Sequence, residues 1–202
     1  MLKIKFQNNY YYHIYNRGVD KRNIFMEEQK TAISAPSAVA ALGADIADIE
    51  ILKKLPKLVE IICYCLIPNH YHLILKQLVD NGISMFMHKL ADSYSHYFNK
   101  KYDRLGSLFQ GTYQAIHINT DSYLLWLSGY VNGNIEIHKI AKAEKWPWSS
   151  YLDYLGKRNG TLYNKKVILD QFQDIKEYKN LVNIIIKESS QRKDDIKRYL
   201  LE

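Results

Sequence analysis

Two histidines stand two residues apart at His70 and His72, directly after Pro68-Asn69 and a strongly β-forming run from Leu58 to Ile67. Alternate side chains of a strand share a face, so His70 and His72 project together while Tyr71 turns to the other side. Two neutral imidazoles on one face are half of a metal site. A third ligand is needed, and a helical segment further along offers Tyr130 and Asn134, four apart and therefore on one helical face. The Asn134 amide oxygen would complete a histidine–histidine–amide set for Mg2+ or Mn2+, with the two imidazoles favouring Mn2+ in affinity. Such a cation polarises a phosphate, and Tyr130 would stand beside it. Attack by a phenol oxygen on a phosphodiester leaves a covalent phosphotyrosine and a free hydroxyl, whose return attack rejoins a strand without ATP. Tyrosine titrates near ~10, so a metal or a base must assist.

Each residue also has an ordinary alternative. Strand histidines often only hydrogen-bond. Tyr123 lies seven residues before Tyr130 on the same helical face and rivals it, in a chain with 17 tyrosines. Asn134 is also a helix C-cap type. Cys63 and Cys65 are either zinc partners of the histidines or buried core. Trp146 and Trp148 either stack on unpaired bases or pack inside.

These residues need elements to position them. Tyr10 to Asn16 is aromatic and β-rich and reads as a first strand, ended by Arg17-Gly18. Residues 31–49 are rich in alanine and broken by Pro36 and Gly43; an irregular segment is expected there, then a short helix from Asp45 to Leu55. Leu58 to Ile67 is the second strand, Pro68-Asn69 a turn, and Tyr71 to Lys76 the third strand. From Ile83 the apolar residues Phe86, Met87, Leu90, Tyr94, Tyr97 and Phe98 recur at helical spacing, up to about Tyr102. Thr112 to Ile118 reads as a fourth strand. Asn119, Thr120 and Asp121 are N-cap types ahead of a helix with Leu124, Leu127 and Val131 on its apolar face. An aromatic loop, Trp146 to Tyr151, and one or two polar helices from Lys166 onward complete the chain.

The order implies an α+β fold, a ferredoxin-like βαββαβ antiparallel sheet with a helical C-terminal extension. Residues 1–156 form the expected catalytic domain and 157–202 the extension. Helices are expected on one face of the sheet, with the other face left for substrate.

A chain of 202 residues with 47% hydrophobic residues can bury a core without disulfides. The net charge of +7 is a weak pointer to nucleic acid. Two cysteines so close on one strand do not pair, which suits a reducing compartment. No apolar run approaches ~20 residues and no leader peptide is visible, so a cytoplasmic, nucleoid-associated protein is expected, with no membrane partner.

An ordered set of segments now adds a resemblance. It comprises Tyr12-His13-Ile14-Tyr15-Asn16-Arg17-Gly18 with Ile24-Phe25, and Cys65 through Leu75. It continues with Tyr97 to Tyr102, Gly106, Leu108 to Gly111, Tyr123-Leu124-Leu125, Gly129-Tyr130-Val131, Asn134 and Trp148 to Tyr151. Over roughly residues 10 to 156, apart from the alanine-rich segment, the chain resembles the REP-associated tyrosine transposases and related single-tyrosine HUH insertion-sequence transposases. The resemblance implies His70 and His72 as metal ligands, Asn134 as the amide-type ligand and Tyr130 as the nucleophile. It further implies Mg2+ or Mn2+, and cleavage and rejoining of single-stranded DNA beside hairpin or palindromic ends through a 5′-phosphotyrosine. Arg17, Lys21, Arg22, Lys100, Lys101 and Arg104 are the candidate DNA contacts, through phosphates. Smaller relatives pair with the tyrosine helix swapped, which makes a homodimer one expected state. The C-terminal extension argues instead for a monomer acting in cis.

The chain also departs from the family pattern. Asn132 stands where a histidine is usual, Gly133 replaces a bulkier residue, and Ile135 stands where proline is common. Thr112 and Gln114 occupy positions that are often basic. Gly129 and Gly133 each cost a helix ~1 kcal/mol relative to alanine, which would suit a mobile or frayed tyrosine helix. The competing readings are a non-catalytic or domesticated hairpin-DNA-binding protein of this fold, and a phosphohydrolase acting through activated water.

Overall fold

The computed structural model describes residues 4–25 and 57–199, with side chains as far as residue 192. The alanine-rich segment and the helix expected from Asp45 to Leu55 lie outside the described residues. Four strands form one antiparallel sheet: β1 (Tyr11–Arg17), β2 (Val59–Ile67), β3 (His70–Gln77) and β4 (Gln114–Ile118), in the order β2-β3-β1-β4. This is the ferredoxin-like order. The helices are α1 (Gly82–Lys101), α2 (Asp121–Ile137), the short α3 (Tyr151–Tyr154) and α4 (Lys166–Leu169), and α5 (Ile175–Tyr199). Among the described residues no helix is long and apolar enough to cross a membrane.

Pro68 and Asn69 make the two-residue turn between β2 and β3. The Pro68 carbonyl accepts from the amides of Ile24 (2.7 Å) and Phe25 (2.9 Å), and the Asn69 carbonyl from Gly18 N (2.8 Å). The turn is thereby tied to the end of β1. In β2, a bulge between Ile61 and Cys63 turns Ile62 and Cys63 toward the same core and restores pairing beyond it. Cys65 then lies opposite His72, and Ile67 opposite His70.

The sheet is covered on both faces, not one. Tyr12, Ile14, Tyr71, Leu73 and Leu75 pack against Ile83, Met87 and Phe98 of α1. Cys63, Cys65, Ile67 and Ile74 pack against Leu124, Leu127, Val131 and Ile135 of α2. The expected empty face therefore belongs to α2, whose apolar stripe can be buried nowhere else. The histidines occupy that same face, at the helix's edge. Thr120 caps α2, its hydroxyl accepting from Tyr123 N at 3.2 Å.

The outer side of α2 is covered by α5. Tyr178 and Val182 of α5 share one buried cluster with Val131 and Ile135. Asp174 caps α5, accepting from Glu177 N at 2.8 Å, while the Glu177 carboxylate accepts from Gln173 N at 2.8 Å. Gly129 and Gly133 are where the two helices meet. A Cβ at Gly129 would stand 2.6 Å from Ile185 Cδ1, and one at Gly133 2.6 Å from Ile186 Cγ1. The glycines are close-packing notches, and α2 runs on to Ile137 beyond them. The expectation of a loosened or frayed tyrosine helix is thus corrected: tertiary contact outweighs their low propensity.

The aromatic loop closes the open edge of β2. Leu66 N donates to the Trp148 carbonyl (2.8 Å), Ser150 N to Tyr64 O (3.0 Å), and Trp146 Nε1 to Leu66 O (2.9 Å). An unpaired edge strand invites association, and this loop satisfies it. Trp146 also packs against the α2-side core and is a packing residue here, while Trp148 pairs with β2 through its backbone carbonyl. The buried Asp153 anchors the following turn through Arg158 Nε (2.6 Å) and Gly160 N (2.6 Å).

Filling the Gly133 notch should be costly. Gly133→Leu is expected to destabilise the protein by about 1–3 kcal/mol in urea titration, and Ile186→Ala in the same chain to recover part of that loss. An unchanged midpoint for the single variant would refute the notch.

Candidate active site

The β1–β3 register assembles a row of rings on the α2 face. Tyr15 is paired with His72, Arg17 with His70, and His13 with Ile74. The ring centroids of His70 and His72 are 5.2 Å apart at 87°. His13 lies diagonally across from His72, with ring centroids 5.1 Å apart at 20° and His13 Nε2 2.9 Å from His72 Nδ1. Asn69 Oδ1 lies 2.7 Å from His70 Nδ1. A carbonyl oxygen only accepts, so Nδ1 is the protonated nitrogen of His70 and Nε2 the basic one. A proton on His72 Nδ1, donated to His13, makes Nε2 the basic nitrogen there too. Outer partners of this kind orient imidazole ligands and set their tautomer.

Helix α2 delivers the other candidates. The Tyr130 ring lies 5.9 Å from that of His72 at 83°. Tyr123, its rival, is separated from the histidines by Trp126, on which it stacks. Asn134 is one turn beyond Tyr130 and fully buried. It is not the C-cap; His138 is, with its amide bonded to the Asn134 carbonyl at 3.0 Å. No hydrogen bond of normal geometry reaches Oδ1 or Nδ2 of Asn134 among the described residues, although the amide lies close enough to the Tyr130 hydroxyl to interact with it. A buried amide left in that state is costly, and a cation beside Oδ1 would relieve it. No three histidine, cysteine, aspartate or glutamate side chains group as a metal site among the described residues; the residues that could hold a hard divalent ion are His70, His72 and Asn134, through its amide oxygen. Burial raises the Tyr130 phenol above its ordinary pKa, and the neighbouring Asn134 amide offsets part of the rise.

The cysteines are core residues. Both are fully buried in the core, where desolvation pushes the Cys65 thiol up to about 12 and the Cys63 thiol well above its ordinary value. Among the described residues they join no group of three histidine, cysteine or carboxylate side chains that could hold a metal ion, and core packing accounts for them.

Beside His70 opens a cleft of about 570 Å³, lined by Arg17, Lys21, Asn69, Gln110, Gln114 and His138 among others. The Arg17 guanidinium hydrogen-bonds Gln110. Arg22 is half-buried and 3.9 Å from the Asp20 carboxylate. Lys100 and Lys101 are exposed at the C-terminal end of α1. Arg104 is occupied within its own loop, donating to Asn99 Oδ1 (2.7 Å) and Ser107 O (2.8 Å). Of the six cationic candidates, Arg17 and Lys21 reach the cleft.

Two residues near the histidines were not singled out from sequence. His13 sits inside the β1 motif, but only the strand register brings it to His72. The ring of His138 lies 4.7 Å from that of His70. Its position, four residues after Asn134, was the available signal.

The model of the family described as "Transposase IS200 like" matches residues 6–134, a span from β1 to Asn134. This chain belongs to the IS200-like transposase family. Its fold is similar to the solved "Structure of the REP associates tyrosine transposase bound to a REP hairpin". The two are 15% identical, the match covers 87% of this chain and 92% of that one, and the TM-score is 0.60. No curated protein matches the chain.

Within this IS200-like transposase, one departure has a structural cause. Asn132 is fully buried; its Nδ2 donates to the Tyr178 hydroxyl at 2.8 Å, and its Oδ1 accepts from Ser150 Oγ at 2.7 Å. It ties α2 to α5 and to the loop on β2, pointing away from the histidines.

Burial lowers the His13 pKa from 6.5 to about 4. Between those values the unfolded chain binds a proton that the folded one excludes. Stability from this group is thus full above pH 6.5 and falls, by up to about 3 kcal/mol, as pH drops to 4. Urea titrations in EDTA across that range should show His13→Phe removing up to one proton from the slope of stability against pH; an unchanged slope would refute this assignment.

Proposed function

We propose that this IS200-like transposase cleaves and rejoins single-stranded DNA beside a hairpin, with Tyr130 as nucleophile. The observation that carries the reading is the meeting of Tyr130 with His72, one helical turn from the unsatisfied Asn134 amide. The neighbour solved with a REP hairpin supports a hairpin substrate.

In this reading the Tyr130 Oη–phosphorus bond forms and the bond from phosphorus to O3′ breaks. The phenol loses one proton and the leaving oxygen gains one, giving a 5′-phosphotyrosine and a 3′-hydroxyl. Mg2+ or Mn2+ held by His70, His72 and Asn134 would supply Lewis-acid polarisation of a phosphate oxygen. Asn69 and His13 orient the two imidazoles. Arg17 and Lys21 attract the phosphate backbone into the cleft, which makes binding salt-sensitive. Tyr130 meets His72 of its own chain, and α5 holds the tyrosine helix against that chain's core, so the reaction is read as occurring in cis. The described part of the C-terminal extension, residues 157–199, is then part of the catalytic body.

The test is a denaturing gel of the protein with labelled single-stranded hairpin DNA and Mn2+. Wild type is expected to give a covalent protein–DNA band that EDTA abolishes. Tyr130→Phe should lose the band and keep hairpin affinity within about threefold, since it removes only the hydroxyl. An adduct formed by Tyr130→Phe would refute the nucleophile. Metal-stimulated cleavage without any adduct would favour activated water. Metal-indifferent binding without cleavage would favour a binding module.

A further inference from the structure

Helix α2 carries a second stripe beside its buried one. Tyr123, Trp126 and Tyr130 follow at helical spacing and form a continuous aromatic stair. Tyr123 and Trp126 are 6.3 Å apart at 16°, Trp126 and Tyr130 5.5 Å apart at 13°, and Tyr130 meets His72 edge-on at 5.9 Å. At these separations near-parallel rings are offset rather than superposed, so each leaves part of its face open. Core packing accounts for only part of the stair: Tyr123 and Tyr130 rest partly buried against the α2-side core, but Trp126 does not belong to it. Leu124, Leu127, Val131 and Ile135 fill the core from the adjoining stripe, while Trp126 is 37% exposed. An indole held in water against two tyrosines forgoes burial that the helix offers one position later at Leu127.

We propose that this stair is the seat of the unpaired bases next to the scissile phosphate. The inference rests on Tyr130 acting on single-stranded DNA as described above. Every base has an apolar π-face, and stacking on aromatic side chains holds single strands with little sequence preference. The stair ends on the ring whose hydroxyl must reach phosphorus, so a base stacked over Trp126 would bring its own backbone alongside Tyr130. The cationic cleft lined by Arg17 and Lys21 borders His70. One strand can then be gripped by its phosphates in the cleft and by its bases on the stair. Trp126 is in this view a positioning residue. It supplies ring surface and takes no part in proton transfer.

The test uses the full chain and two DNA probes, a hairpin with ten-nucleotide oligo-dT flanks on both sides and the same hairpin blunt. Trp126→Ala is expected to weaken binding of the flanked probe by about tenfold, within the range for one lost base stack. Affinity for the blunt probe should stay within about twofold. Trp126→Phe should restore most of the loss on the flanked probe, and thermal melting should show both variants folded. Equal affinity of Trp126→Ala and wild type for the flanked probe would overturn the proposal. So would an equal loss on both probes, or wild type gaining nothing from the flanks. Adduct formation is scored separately on the same flanked probe. An adduct with no Trp126 effect refutes the stair alone; a Trp126 effect with no wild-type adduct refutes the nucleophile alone.

Discussion

The antiparallel register of β3 between β1 and β2 is the constraint on which the rest depends. A shift of one residue would turn every side chain of β3 to the opposite face. His70 and His72 would then enter the α1 core, and Tyr71, Leu73 and Leu75 would face α2. Two features hold the register. The Pro68-Asn69 turn is bonded to the amides of Gly18, Ile24 and Phe25, and the bulge in β2 absorbs the extra residue so that Cys65 and Ile67 return opposite His72 and His70. The buried histidine face is accordingly a product of apolar packing on the other face.

The second requirement is a helix held firmly against that face. Leu124, Leu127, Val131 and Ile135 seat α2 on the sheet. From behind, α5 closes on Gly129 and Gly133, and Asn132 bonds to Tyr178 and Ser150. With both sides of α2 engaged, the direction of Tyr130 is fixed by contacts along the helix on either side of it. The neutral, buried His13 serves the same purpose for His72, through one hydrogen bond in a poorly solvated spot. A ring in that position can hold an orientation without competing for a cation from the surface. The site is thus rigid where atoms must be aligned, and open in the cleft beside His70 and along the exposed edge of Trp126.

Much of this was legible in the chain itself. Strand alternation placed His70 and His72 on one face. Helical spacing placed Tyr130 and Asn134 together, and the N-cap types before Leu124 marked the start of α2. These are local, periodic signals set by backbone geometry, and the four strands and the helices α1, α2 and α5 follow from them. The βαββαβ order followed from the same signals.

What local periodicity does not contain is which face of the sheet each helix covers, or which side chains of other strands arrive beside a given residue. Helices on both faces, His13 at His72, and Gly129 and Gly133 as notches for Ile185 and Ile186 all depend on pairing between distant segments. Propensity alone read the two glycines as weak points; packing against α5 makes them contact points. Trp146 and Trp148 were ambiguous because an exposed sheet edge exists only once the sheet does. The sequence by itself determined the elements and the chemical types they carry, because periodicity is written into neighbouring residues. The tertiary structure decided their convergence, because register, bulge and helix docking are set by burying apolar surface across the whole chain.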